Sequence, residues 1–119
     1  MSILLLSTDL MTSSQLGAAA QQAGTSLHTV ASSEALIDAW RAEAAALVVL
    51  DLTAANLDCA AVVRALGEEA SVPPPQILAF GPHVHEQRLA AAQAAGCDEV
   101  LSRGQMFREA GERFGQYAD

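Results

Sequence analysis

Asp51 closes the apolar run Ala46-Leu-Val-Val-Leu50. A lone carboxylate at the C-terminal end of a buried strand is where open α/β sheets place their chemistry. Such a group can hold a divalent cation or accept a phosphoryl group, and both tasks need company. Mg²⁺ wants near-octahedral oxygen coordination with carboxylate charge close by. Bringing a phosphate to a carboxylate opposes two anions unless metal charge offsets them. The other strand that should supply partners, Ile3-Leu-Leu-Leu6, runs into Ser7 and Thr8, with Asp9 just beyond. Asp51 therefore has two neutral hydroxyls for neighbours and one further acid, Asp9, that could swing inward and restore partial metal binding.

Other residues of chemical interest are weaker candidates. His83 and His85 flank Val84, but an HxH pair needs a third ligand and a fixed geometry to hold a metal, and the sequence nearby supplies none. A solvated loop ahead of a helix is the simpler reading, and the segment from Phe80 to His85 is the best candidate for a partner-recognition loop. Ser7, Thr8, Thr12, Ser13 and Ser14 make a hydroxyl-rich first turn. Turns of that kind bind phosphate through backbone N–H groups, yet this one lacks the glycines that allow close approach, and few aromatics are available to sandwich a flavin. Cys59 follows a helix cap, a position that lowers thiol pKa. Cys97 lies far from it in sequence with no CxxC pattern, so two free thiols are expected.

The elements that must position these groups can be read from the apolar pattern. Short apolar runs at Ile3–Ser7, Ser26–Ala31, Ala46–Leu50, Gln76–Phe80 and Glu99–Ser102 are expected strands. Between and after them lie Ala-rich segments of helical length: Leu10–Ala23 stopped by Gly24, Ser32 or Ser33 through Glu43, a helix capped by Asp58 and carrying Val62, Val63 and Leu66, His85–Ala95 stopped by Gly96, and Met106 to about Tyr117. Runs apolar on both faces, joined by helices, imply a parallel sheet covered on both sides with right-handed crossovers. The expected fold is a doubly wound three-layer α/β/α sandwich forming one domain over residues 1–119.

Composition narrows the function classes. The chain has 119 residues and a net charge of −8, which repels nucleic acid and anionic membrane and favours a basic protein surface. There is no lysine, and all six basic residues are Arg, so no mechanism here uses a lysine amine. The N-terminal apolar run is too short for a signal peptide and no stretch reaches membrane-spanning length. A soluble cytoplasmic protein is expected.

The string Leu47-Val-Val-Leu-Asp51-Leu-Thr followed by Asn56-Leu-Asp58 resembles the receiver domain of bacterial response regulators. So does Gly96-Cys-Asp-Glu-Val-Leu-Ser-Arg103, and the spacing from Gly81 to Gly96 is similar to that family's. The resemblance covers nearly the whole chain. It implies a flavodoxin-like (CheY-like) sheet of order 2-1-3-4-5, with Asp51 at the phospho-acceptor position and Mg²⁺ as the cofactor of a working domain. It further implies that Ser7 and Thr8 stand where receivers carry two acidic residues, Gly81 where they carry a switch hydroxyl, Arg103 where they carry a lysine, and Val100 where an aromatic swings on activation.

These departures lead to the expectation of a stand-alone atypical receiver, a pseudo-receiver without output domain or enzymatic activity, acting by protein–protein contact with a sensor kinase or effector and without phosphorylation. The alternatives are a phosphorylatable single-domain regulator using Asp51, Asp9 and Mg²⁺, and a small flavodoxin-like ligand-binding or enzymatic protein. Arg103 should either form a bidentate pair with Asp51, fixing the loops in one state, or point to solvent. Family resemblance places docking, or a homodimer contact, on the fourth helix, fifth strand and fifth helix, giving His83, His85, Arg88, Leu89, Val100, Met106 and Phe107 as partner-binding candidates.

Overall fold

The computed structural model describes residues 2–68 and 73–118. Five strands, β1 (Ser2–Leu6), β2 (Ser26–Val30), β3 (Leu47–Asp51), β4 (Gln76–Gly81) and β5 (Glu99–Ser102), alternate with five helices, α1 (Leu10–Gln22), α2 (Ser33–Ala42), α3 (Cys59–Gly67), α4 (Glu86–Ala95) and α5 (Arg103–Gly115). The strands form one sheet of order β2-β1-β3-β4-β5, every pairing parallel.

Successive side chains of a strand point to opposite faces, and the central strands carry unbroken apolar runs, over residues 3–6, 47–50 and 77–80, so each face acquires its own core. On one face Leu4, Leu6, Val48, Leu50, Ile77 and Ala79 pack against Leu36 and Trp40 of α2, Val62 and Leu66 of α3, and Ala92 of α4. On the other, Ile3, Leu5, Leu47, Val49, Leu78, Phe80 and Leu101 meet Leu16 and Ala20 of α1 and Met106, Ala110 and Phe114 of α5. With few aromatics in the chain, aliphatic burial at about 1.5–3 kcal/mol per side chain supplies most of the driving force.

Local signals set the helix ends. Asp9, Ser32, Asp58 and Ser102 each accept a hydrogen bond from a backbone N–H in the first turn of the helix that follows. Gly96 ends α4 with φ of 107°, in the left-handed region that side chains with a Cβ avoid. One boundary differs from expectation in a way that matters for the site. The Ser102 cap starts α5 at Arg103, three residues before Met106. Arg103 is thus the first residue of a helix and not the end of a strand.

Candidate functional site

β1 and β3 lie side by side, and Leu6 is level with Leu50. The next residue of each chain, Ser7 and Asp51, therefore face one another at the C-terminal edge of the sheet. Here the connections diverge, β1 leading outward to β2 and β3 leading the other way to β4. This switch point is the usual ligand crevice of an open α/β sheet. In this protein it is closed by hydrogen bonds. Asp51 is 0% exposed and Ser7 4%. Ser7 Oγ donates to Asp51 Oδ2 at 2.7 Å and accepts from the Asp9 backbone N–H at 3.2 Å. Thr53 donates to Asp51 Oδ1 twice, from its backbone N–H at 3.0 Å and from Oγ1 at 2.7 Å. Both carboxylate oxygens are thus engaged by neutral donors.

Asp9 faces elsewhere. It is the N-cap of α1, its Oδ1 accepting from Met11 N–H at 3.3 Å and its Oδ2 from Thr12 Oγ1 at 2.6 Å. Arg103 Nη2 lies 3.4 Å from Asp9 Oδ2 and donates to Thr12 Oγ1 at 3.0 Å. The Thr12 hydroxyl bond, helped by the Met11 N–H and the Arg103 guanidinium, holds the Asp9 carboxyl below its ordinary value. The guanidinium carbon sits 4.9 Å from the centre of the Phe107 ring, and Phe107 stands edge-on to Phe80 at 6.2 Å.

Neither expectation for Arg103 holds: its ion pair is with Asp9, not Asp51, and its side chain is 35% exposed rather than free in solvent. The physical reason is twofold. Starting α5, Arg103 lies beside the first turn of α1, which packs on the same face of the sheet. Asp51, already wholly buried with three donors, would require stripping the guanidinium of water for little gain.

No family model matches the chain, and no curated protein matches it. Solved structures do. The receiver domain of the TMAO respiratory system response regulator TorR superposes with a TM-score of 0.80 at 18% identity, over 97% of this chain and 93% of that one. The chemotaxis response regulator CheY4 of Vibrio cholerae gives 0.77 at 13%, over 95% and 97%. An atypical orphan response regulator, described as having a phosphorylation-independent regulatory mechanism, gives 0.77 at 14%, over 98% and 94%. The chain has the fold of a response-regulator receiver domain.

Within that receiver fold, the donor set at the switch point does not suit Mg²⁺. A dication needs lone pairs and carboxylate charge, and Asp51 already commits most of its acceptor capacity to three hydroxyl and amide hydrogens. Ser7 directs its proton at Asp51 and gives a lone pair to the Asp9 amide. The Asp9 carboxylate holds three donors, one of them a cation that repels a second cation. Among the described residues no three His, Cys, Asp or Glu side chains converge on a point where a metal could sit; the HxH pair of His83 and His85 gains no third ligand. Thr8 is exposed. At the switch-hydroxyl position, Gly81 ends β4 level with Ser102. A Cβ there would lie 3.3 Å from Leu52 Cβ, so an apolar side chain fills the space beside it. The hydroxyl turn is likewise spoken for, since Ser7 and Thr12 serve Asp51 and Asp9, and Ser13 Oγ donates to Leu10 O.

The seven partner candidates separate. His83 and Arg88 are exposed, and Arg88 Nη1 reaches the Leu52 carbonyl at 3.4 Å, beside Asp51. His85 is half-buried, its Nδ1 without a hydrogen-bond partner among the described residues. Leu89 and Val100 are half-buried against the core on the α2–α3–α4 side. Phe107 is half-buried on the α1–α5 side. Met106 is corrected outright: it is 0% exposed, because Met106, Ala110 and Phe114 form the inward stripe of α5 at helical spacing.

Two features escaped the sequence reading. Thr53 is a principal partner of Asp51, and the signal was the Asp51-Leu-Thr53 spacing that lets an Asp side chain bond the backbone two residues on. Cys59 and Cys97 are neighbours, their sulfurs 3.4 Å apart; nothing in their separation of 38 positions announces it.

Proposed function

We propose that this chain is an atypical receiver, a pseudo-receiver that signals through protein–protein contact and runs without a phosphorylation cycle. The carrying observation is the neutral setting of Asp51, a fully buried carboxylate whose two oxygens accept three hydrogen bonds from Ser7 and Thr53 and, among the described residues, have no second acid facing them. A phosphoryl group needs one of those oxygens as a nucleophile and a cation to offset charge; three donors already crowd those oxygens, and Asp9 is engaged by Met11, Thr12 and Arg103 instead of facing Asp51. Leu52 packed at Gly81 and Val100 in place of a ring remove the parts that would report a phosphate.

On this reading the domain is a docking module and not an enzyme, working in the cytoplasm; among the described residues no helix is long and apolar enough to cross a membrane. Its partner is a sensor kinase, an effector or a second copy. The contact face is the α4–β5–α5 side with the loop before α4, where His83, Val84 and Arg88 are exposed. A net charge of −8 favours a basic partner surface. Incubation with Mg²⁺ and a small-molecule acyl phosphate, followed by intact mass, tests the reading. No phosphoryl adduct is expected, and an adduct that disappears in Asp51→Asn would establish the phosphorylatable alternative instead.

A further inference from the structure

Cys59 is the first residue of α3, and Cys97 follows the glycine that ends α4. Both thiols are free, and their sulfurs lie 3.4 Å apart. A disulfide bond is about 2.05 Å long, so closure asks for an approach of about 1.4 Å. The two environments differ. Cys97 is 8% exposed, on a turn anchored to β4 by Asp98, whose N–H and carboxylate both bond Ile77. Cys59 is half-buried on the wall of an open groove of about 490 Å³, with Leu57, Ala60, Arg88, Ala91 and Ala95 around it. Much of the rest of the lining is alanine, which leaves the groove open beside Cys59.

We propose that Cys59 and Cys97 form a reversible dithiol–disulfide site, with Cys59 the attacking sulfur, Cys97 the resolving one, and a low-molecular-weight disulfide entering the groove as oxidant. The Cys59 thiolate attacks one sulfur of the small disulfide, breaking its S–S bond and releasing one thiolate. The Cys97 sulfur then attacks Cys59 in the mixed disulfide, forming the protein disulfide and releasing the second thiolate. The two protons lost by the cysteines end on the two small thiols, which carry away both electrons. The order of attack agrees with the hydrogen bond between the sulfurs, which lowers the Cys59 pKa and raises that of Cys97. The bond would clasp the start of α3, and with it the loop that carries Thr53, to the fixed turn before β5. It stands apart from the reading of Asp51.

The test equilibrates the reduced full chain in mixtures of reduced and oxidised glutathione, with acid quenching, intact mass and thiol counting. Wild type is expected to pass from two free thiols to none as a monomer that has lost two hydrogens and retains no glutathione. Its melting temperature should rise by about 10 °C and return with dithiothreitol. Cys97→Ser should stop as a single mixed disulfide on Cys59, and Cys59→Ser should react far more slowly. Wild type that keeps glutathione on Cys59, forms only cross-linked dimers, or holds both thiols free across the series overturns the proposal, whatever the folding of the variants.

Discussion

Replacing Ser7 by Asp would put a second carboxylate where a hydroxyl now donates to Asp51 Oδ2 at 2.7 Å. At about 4 Å and an effective dielectric of about 20, two like charges repel by about 4 kcal/mol. Losing a hydrogen bond to a charged acceptor adds about 1.5–3 kcal/mol. The pair can relieve itself by keeping one proton, and holding that proton at pH 7, about three units above an ordinary carboxylate pKa, also costs about 4 kcal/mol. A domain of this size has a total stability of about 6–18 kcal/mol, so Ser7→Asp should be marginal at neutral pH. Its shared proton is bound more tightly folded than unfolded, so stability should recover as pH falls toward about 5. Urea unfolding at several pH values measures this. Mg²⁺ should help the variant alone, by about 1.4 kcal/mol at ten times its dissociation constant, and leave wild type unmoved. A Ser7→Asp protein as stable as wild type at pH 7 without cation, or a wild type equally stabilised by Mg²⁺, would refute the reasoning.

Ser7→Ala should destabilise by about 2–3 kcal/mol and Thr53→Ala by less, because Ser7 is buried whereas water can replace the Thr53 hydroxyl at an exposed position; paired urea titrations give the order. Asp9, with its carboxyl pKa lowered by Thr12, should contribute stability above the ordinary aspartate range and lose it as pH falls through the lower folded value. The melting-temperature gap between wild type and Asp9→Ala should accordingly close between about pH 5 and pH 2. Gly81→Ser should cost about 1–3 kcal/mol through its contact with Leu52 and still confer no response to phosphate, checked by denaturation and by intact mass.

The layers of the fold were legible because their signals are local. Apolar runs mark the strands, Gly24 and Gly96 stop helices, and Asp58 starts one, each within a few residues of the feature it controls. The partners within the site were less so. Ser7 beside Asp51 follows from the register of β1 and β3, which the element order implies. Arg103 was misplaced because one serine, Ser102, caps α5 three residues early and turns the side chain toward α1. Met106 was read as a surface residue because the family resemblance assigned that helix to a docking face, although Met106, Ala110 and Phe114 already stood at helical spacing within the expected helix. The nearness of Cys59 and Cys97 depends on how α3 and α4 pack side by side, which no spacing in the chain encodes.

The most direct measurement is amide NMR of the uniformly labelled chain, titrated first with Mg²⁺ and then with beryllofluoride as a phosphoryl analogue, following Leu52, Thr53, Gly81 and Ser102. With Asp51 held by Ser7 and Thr53, none of these amides should show a saturable shift at millimolar ligand. Saturable shifts at all four, abolished in Asp51→Asn, would mean that the pocket opens, gathers the cation and takes the analogue, and that this domain is switched as a working receiver is.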